Sequence, residues 1–88
     1  MNLSLAWTPE AWEDYLHWQA TDKAILRKIN RIIKDILRSP YEGIGKPEPL
    51  KHDLSGRWSR RIDAEHRLVY RMDNNILFIN SCRYHYHQ

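Results

Sequence analysis

Five isoleucines, Ile25, Ile29, Ile32, Ile33 and Ile36, recur at the spacing of a single helical face between Asp22 and Arg38. A stripe this apolar has to be buried. A chain of 88 residues has one modest core in which to bury it, because a domain this small removes only roughly 60–65% of its unfolded surface from water. The remainder of the chain must therefore supply the surface on which this helix packs. Opposite the isoleucines stand Arg27, Arg31, Lys34 and Arg38. Such a basic stripe serves either as a solvated face or as a contact to a phosphate backbone, and the pattern alone is compatible with both. Ser39-Pro40 ends the helix, since the residue before a proline avoids helical geometry.

A second helix precedes this one. Thr8 suits an N-cap, Pro9 suits the first helical position, and Glu10, Glu13 and Asp14 lie where the helix dipole favours acids. Trp12, Tyr15, Leu16 and Gln19 mark its expected inward face. Thr21-Asp22 reads as the next N-cap after a very short turn, so the two helices form an αα-hairpin. Before them, Asn2 to Trp7 alternates as a strand with one buried face.

After them, Tyr41 to Lys51 carries two glycines and two prolines in eleven residues and reads as a loop. From Leu54 onward the period changes to two. Arg57 to Asp63, Arg67 to Met72 and Asn75 to Arg83 are strand-like, separated by turn residues at Asp63-Ala64-Glu65 and Asp73-Asn74-Asn75. The expected fold is α+β, with element order β-α-α-β-β-β. It is a small twisted, mostly antiparallel sheet with the αα-hairpin packed on one face. Residues 1–88 are expected to form a single domain.

Charge is unevenly spread. Residues 1–22 hold four acids and no Lys or Arg, so all 14 basic residues lie in 23–88 with the other seven acids. A basic body suits a polyanionic partner, either nucleic acid or an acidic protein, or simply keeps the chain soluble. The single cysteine, Cys82, cannot form an internal disulfide. No apolar run approaches the ~20 residues of a spanning helix, so a cytoplasmic protein with no membrane association is expected.

The chain ends Ser81-Cys82-Arg83-Tyr84-His85-Tyr86-His87-Gln88. Cation, proton donor and stacking ring together can handle a phosphate and a base; a frayed tail has the same composition. No metal is expected: His85 and His87 lack a partner set, and no C-x-x-C or H-E-x-x-H spacing occurs. Nor is Cys82 with His85 a strong nucleophile pair, because a cysteine just after an apolar strand usually packs inertly. No cofactor is implied.

Glu48 is flanked by Pro47 and Pro49, which stiffen the backbone around it. It is either held for chemistry or merely exposed. The open sheet face can offer Arg61, Arg67, Arg71 and Arg83, unless these pair with Asp63 or Glu65. RNA cleavage needs no protein nucleophile: the substrate's 2′-OH can attack the adjacent phosphorus, given a base, an acid and cations. Glu48, His85 and Arg67 can fill those roles, as one arrangement among several.

The motifs Lys46-Pro47-Glu48-Pro49-Leu50-Lys51-His52, Leu54-Ser55-Gly56, Trp58-Ser59-Arg60-Arg61-Ile62, Glu65-His66-Arg67-Leu68-Val69-Tyr70 and Cys82-Arg83-Tyr84-His85-Tyr86 resemble the YoeB-type toxins of the RelE family. The similarity continues through Trp12 to Leu16, Trp18-Gln19, Thr21 to Lys23, Lys28 to Asn30 and Ile33 to Asp35, so it covers nearly the whole chain.

The resemblance implies a RelE-like fold and a toxin of a toxin–antitoxin module. It implies a ribosome-dependent endoribonuclease that cuts messenger RNA in the decoding site without metal and inhibits translation. It places the base on Glu48, the phosphate-stabilising arginine on Arg67, the acid on His85 and a nucleotide-packing ring on Tyr86. Lys51, Arg61 and Arg83 become phosphate or RNA contacts. It further implies a homodimer and a YefM-type antitoxin that displaces the tail. Where family chains commonly stop at the tyrosine matching Tyr86, this one continues with His87-Gln88; activity is expected to survive the extension. A non-cleaving inhibitor of the same fold would have no use for the set Glu48, Arg67 and His85; a basic RNA-binding module, the other alternative, would keep its function largely intact in His85→Ala.

Overall fold

The structure, a computed structural model, describes residues 3–85. Strand β1 (Ser4–Trp7) leads into helix α1 (Pro9–Thr21) and helix α2 (Lys23–Arg38). A short strand β2 (Glu48–Pro49) and one 3-10 turn (His52–Leu54) follow, then β3 (Trp58–Arg61), β4 (Arg67–Asp73) and β5 (Ile76–Ser81). The sheet order is β1-β5-β4-β3-β2. β1 runs parallel to β5, and the other neighbours are antiparallel.

Both helix starts follow from their caps. Thr8 Oγ1 accepts from Ala11 N at 3.1 Å, with Pro9 at the first helical position where its missing N–H costs nothing. Asp22 alone separates the helices: its backbone closes α1 and its carboxylate accepts from Ala24 N and Ile25 N. On α2 the expected stripe is the buried one, with Ile29, Ile32, Ile33 and Ile36 packed against Leu68, Tyr70, Leu77 and Ile79 of the sheet.

Two expectations need correction. Trp12, Leu16 and Gln19 of α1 do not face the core: Trp12 is 46% exposed and Leu16 36%, and Gln19 is exposed as well. Ala11 and Trp18 are buried in their place, with Tyr15 partly so. Apolar residues on more than one side leave a 13-residue helix poorly phased by pattern alone. What sets the phase is the close approach at Ala11, whose carbonyl lies 3.7 Å from Cys82 Sγ. Trp12 instead packs sideways, its ring centroid 5.8 Å from that of Trp7 and 5.9 Å from that of Tyr15.

The second correction is β2. Glu48-Pro49, expected to be loop, pairs with Ser59 and Trp58 at the edge of the sheet. Two residues are too few to display a period, and Pro49 is tolerated because an edge position does not require its N–H.

The loop before β2 is organised from below by Arg60, which is fully buried. Its guanidinium donates to Asp35 Oδ2 at 2.6 Å and to the carbonyls of Ser39 (2.8 Å), Glu42 (2.9 Å) and Ile44 (3.2 Å). Its Nε donates to Tyr70 Oη at 3.2 Å, and that hydroxyl donates to Pro40 O at 2.6 Å. Gly43 and Gly45 thread past this hub at φ of 130° and 80°. A Cβ on Gly45 would stand 2.9 Å from the Arg61 carbonyl, so only glycine fits there.

Candidate functional site

Pairing register decides which side chains share a face. Residues directly opposite in an antiparallel ladder project to the same side. Glu48 lies opposite Ser59, Ser59 opposite Val69, and Val69 opposite Ser81, so these four form one row across the sheet. Arg61 and Arg67 oppose each other two positions along and share that side. Leu68 and Tyr70 project the other way, into the core with the helices. Glu48, Arg61 and Arg67 therefore all stand on the face that the helices leave open. Strand spacing and rise put the Cα atoms of Glu48 and Arg67 about 12 Å apart, a distance across which two long side chains can flank one phosphate.

Arg67 is shaped by the turn before it. Asp63 accepts from Glu65 N at 2.8 Å and His66 N at 2.7 Å. Burial of this carboxyl raises its pKa, but the two N–H donors outweigh that and leave it lowered. Arg67 Nη1 then donates to the carbonyls of Asp63 (3.0 Å) and His66 (3.2 Å). The strand arginine thus pairs with backbone carbonyls and leaves the carboxylates of Asp63 and Glu65 to others.

The tail returns to this face. Cys82 N donates to Asp14 Oδ2 at 2.9 Å, and Trp18 Nε1 donates to Cys82 O at 2.8 Å, so α1 grips the strand end. Burial raises the pKa of Asp14, against the opposing pull of the Cys82 N–H. Tyr84 N donates to His66 Nδ1 at 2.7 Å, and Arg67 N donates to Tyr84 O at 3.1 Å. The carbonyl joined to His85 therefore touches the backbone of Arg67.

A cleft of about 360 Å³ results, lined by Leu54, Arg57, Val69, Ser81, Arg83 and His85 among others. That volume lies in the range of small-molecule sites. The structure thus brings Arg83 and His85 into one cleft, with Arg67 bonded to the tail that forms its wall. Glu48 and Arg61 stand on the same sheet face outside that lining. Lys51 is exposed just before the 3-10 turn. Tyr86 and the extension His87-Gln88 lie outside the described residues. Arg71, also on this face, is engaged elsewhere: its guanidinium sits 4.2 Å from the Phe78 ring centroid and 3.3 Å from Asp73. Cys82 is fully buried, and burial followed by the nearby Asp14 charge pushes its thiol up to about 12, which agrees with inert packing. Among the described residues no group of three or more His, Cys, Asp or Glu is clustered so as to hold a metal ion. No helix there is long and apolar enough to cross a membrane.

Chemically, the face combines a carboxylate, guanidinium groups and an imidazole around a concave surface open to solvent. That set can bind a phosphodiester and move protons at its oxygens. Sequence reasoning missed the groups that hold it together: Asp14, Trp18, His66 and Arg60. Each is one polar or aromatic residue in a segment assigned to packing, and only the tertiary contacts reveal its role.

A family model described as YoeB-like toxin of bacterial type II toxin-antitoxin system matches residues 7–86. The chain belongs to this family. Toxin YoeB of Escherichia coli O6:H1 is 63% identical over 84 residues, spanning 96% of this chain and 100% of that one. A solved YoeB/ParE toxin from Agrobacterium tumefaciens superposes with a TM-score of 0.92 at 50% identity, covering 96% of this chain and 100% of that one. The YoeB dimer from Staphylococcus aureus gives 0.90 at 50% identity, over 98% and 100% of the two chains. The YoeB-YefM complex from the same organism gives 0.88 at 49% identity with the same coverage. The α+β fold of the YoeB-like toxins, two helices against a five-stranded mixed sheet, is thus the fold of this chain.

Proposed function

We propose that this toxin is a ribosome-dependent endoribonuclease that cuts messenger RNA in the decoding site. Glu48 takes the proton from a 2′-OH, whose oxygen forms a bond to the adjacent phosphorus. Arg67, assisted by Lys51, Arg61 and Arg83, balances the charge that builds on the phosphate oxygens. The bond from phosphorus to the 5′-oxygen breaks as His85 gives that oxygen a proton. The products are a 2′,3′-cyclic phosphate and a 5′-OH. Tyr86 packs on the nucleotide. No metal takes part in this scheme, and the ribosome supplies the positioning that a shallow, open face lacks.

The observation that carries this reading is the juxtaposition on one sheet face: Glu48 and Arg67 by strand register, and His85 by the bonds that tie Tyr84 to Arg67 and His66. A homodimer and a YefM-type antitoxin follow from the S. aureus relatives solved in those assemblies. Ribosomes place the activity in the cytoplasm.

The experiment is to add the protein to ribosomes programmed with a defined messenger and to map new 5′ ends by primer extension. Cuts at the decoding-site codon that vanish with Glu48→Ala and His85→Ala are the expected result. Intact messenger with translation still blocked would make the protein a binding inhibitor.

A further inference from the structure

We infer that His66, in its neutral form with the proton on Nε2, is the positioning residue that holds the tail and thereby aims His85 into the cleft. The inference rests on the nuclease reading for its effect on cleavage, and on geometry alone for the state of the ring.

A backbone N–H can only donate. Because Tyr84 N points at His66 Nδ1 from 2.7 Å, that nitrogen must present a lone pair, which fixes the tautomer. The ring is buried, edge-on to Trp18 at a centroid distance of 4.8 Å and tilted against Tyr84 at 5.8 Å. Its Nε2 lies 3.6 Å from Glu65 Oε1, on the side where the tautomer carries its proton.

What this bond secures is a bend. Tyr84 has a φ of 65°, in the left-handed region that side chains other than glycine seldom occupy. Such a conformation persists only when its surroundings over-determine it. Here the N–H of Tyr84 is held by His66 and its carbonyl by Arg67 N at 3.1 Å. His66, just before β4, and Arg67, its first residue, thus grasp both polar groups of the bend, and the next residue is His85. The anchor at Cys82, made by Asp14 and Trp18, fixes where the tail leaves the sheet. The anchor at Tyr84 fixes the direction it takes afterwards.

Protonating Nδ1 would set a donor against a donor and remove this bond.

Two arms test this on the full chain. In the first, His66→Leu and His66→Asn are compared in single-turnover cleavage on programmed ribosomes. His66→Leu removes the acceptor, and a misaimed acid is expected to slow cleavage roughly 10- to 100-fold with ribosome binding unchanged. His66→Asn restores an acceptor oxygen near the place of Nδ1 and is expected to recover most of the rate. In the second, nitrogen NMR of the unsubstituted protein reads the tautomer directly. The expected result is a neutral ring with the proton on Nε2, and a Tyr84 amide protected from exchange by its bond to Nδ1. A neutral ring protonated on Nδ1, or a folded His66→Leu that cuts at the full rate, overturns the inference. If the unsubstituted protein cuts nothing, the nuclease reading has failed, and the NMR arm still decides the latch.

Discussion

Arg60 Nη1 donates to Asp35 Oδ2 at 2.6 Å, joining the end of α2 to β3 beneath the loop that leads to Glu48. The same guanidinium satisfies three loop carbonyls. Removing it strands these acceptors around a carboxylate. Arg60→Met is expected to cost about 3–5 kcal/mol, and Arg60→Lys to recover little of it, since an ammonium cannot reproduce the planar fork. Urea denaturation of both variants measures this; midpoints equal to the parent's would remove Arg60 from its place at the centre of the loop.

The partner of that arginine should shape acid unfolding. Hydrogen bonds from Arg38, Ile44 N and Arg60 hold the Asp35 carboxyl at about 2, below the ~3.9 of a free aspartate. A lowered pKa in the folded state contributes stability that is fully present above the unfolded value and is lost as pH falls from about 4 to about 2. Asp35→Asn lacks this titration, so its urea midpoint is expected to fall less steeply over that window. A slope unchanged from the parent's would assign the acid sensitivity to other carboxyls.

Cys82 is expected to ignore thiol reagents. Its side chain is fully buried and its thiol is pushed up to about 12, so almost no thiolate forms near neutrality. Iodoacetamide should label it in denaturant and leave the native protein unmodified for hours. Rapid labelling of native protein would mean that the grip of α1 on the tail opens readily.

Asn80 is the extra residue of a bulge on β5, where Val69 opposes Ser81 but Tyr70 opposes Ile79. Its Oδ1 is sealed from solvent with no hydrogen-bond partner among the described residues. An unmatched buried acceptor costs ~1–3 kcal/mol. Asn80→Ala is therefore expected to raise the melting temperature by about 4–8 °C, the equivalent of ~1 kcal/mol in a domain of this size. Calorimetry would settle the sign.

Much of this architecture was legible because its signals repeat. The isoleucines of α2 and the alternation of β4 identify their buried faces several times over, and Thr8-Pro9 and Thr21-Asp22 mark helix starts through local chemistry. The phase of α1 was not legible, because Trp12 and Leu16 are as apolar as Trp18 and only the approach of Ala11 to Cys82 selects between them. Nor was β2, whose two residues carry no period. Of the candidate site, the residue types and the motif resemblance pointed to Glu48, Arg67 and His85. Their arrangement depends on ladder register and on single bonds from Asp14, Trp18 and His66, contacts between residues up to 68 positions apart that no local pattern encodes.

The parallel pairing of β1 with β5 has a consequence for the timing of synthesis. Ser4–Trp7 finds its ladder partner only in Ile76–Ile79, 72 positions further along the chain (76 − 4). Closure of so long a loop has to wait for that partner. Until β5 has emerged from the ribosome, β1 lacks its neighbour, and Asp14 and Trp18 have no tail to grip. A nascent chain that has not yet exposed β5 is thus unassembled at this face.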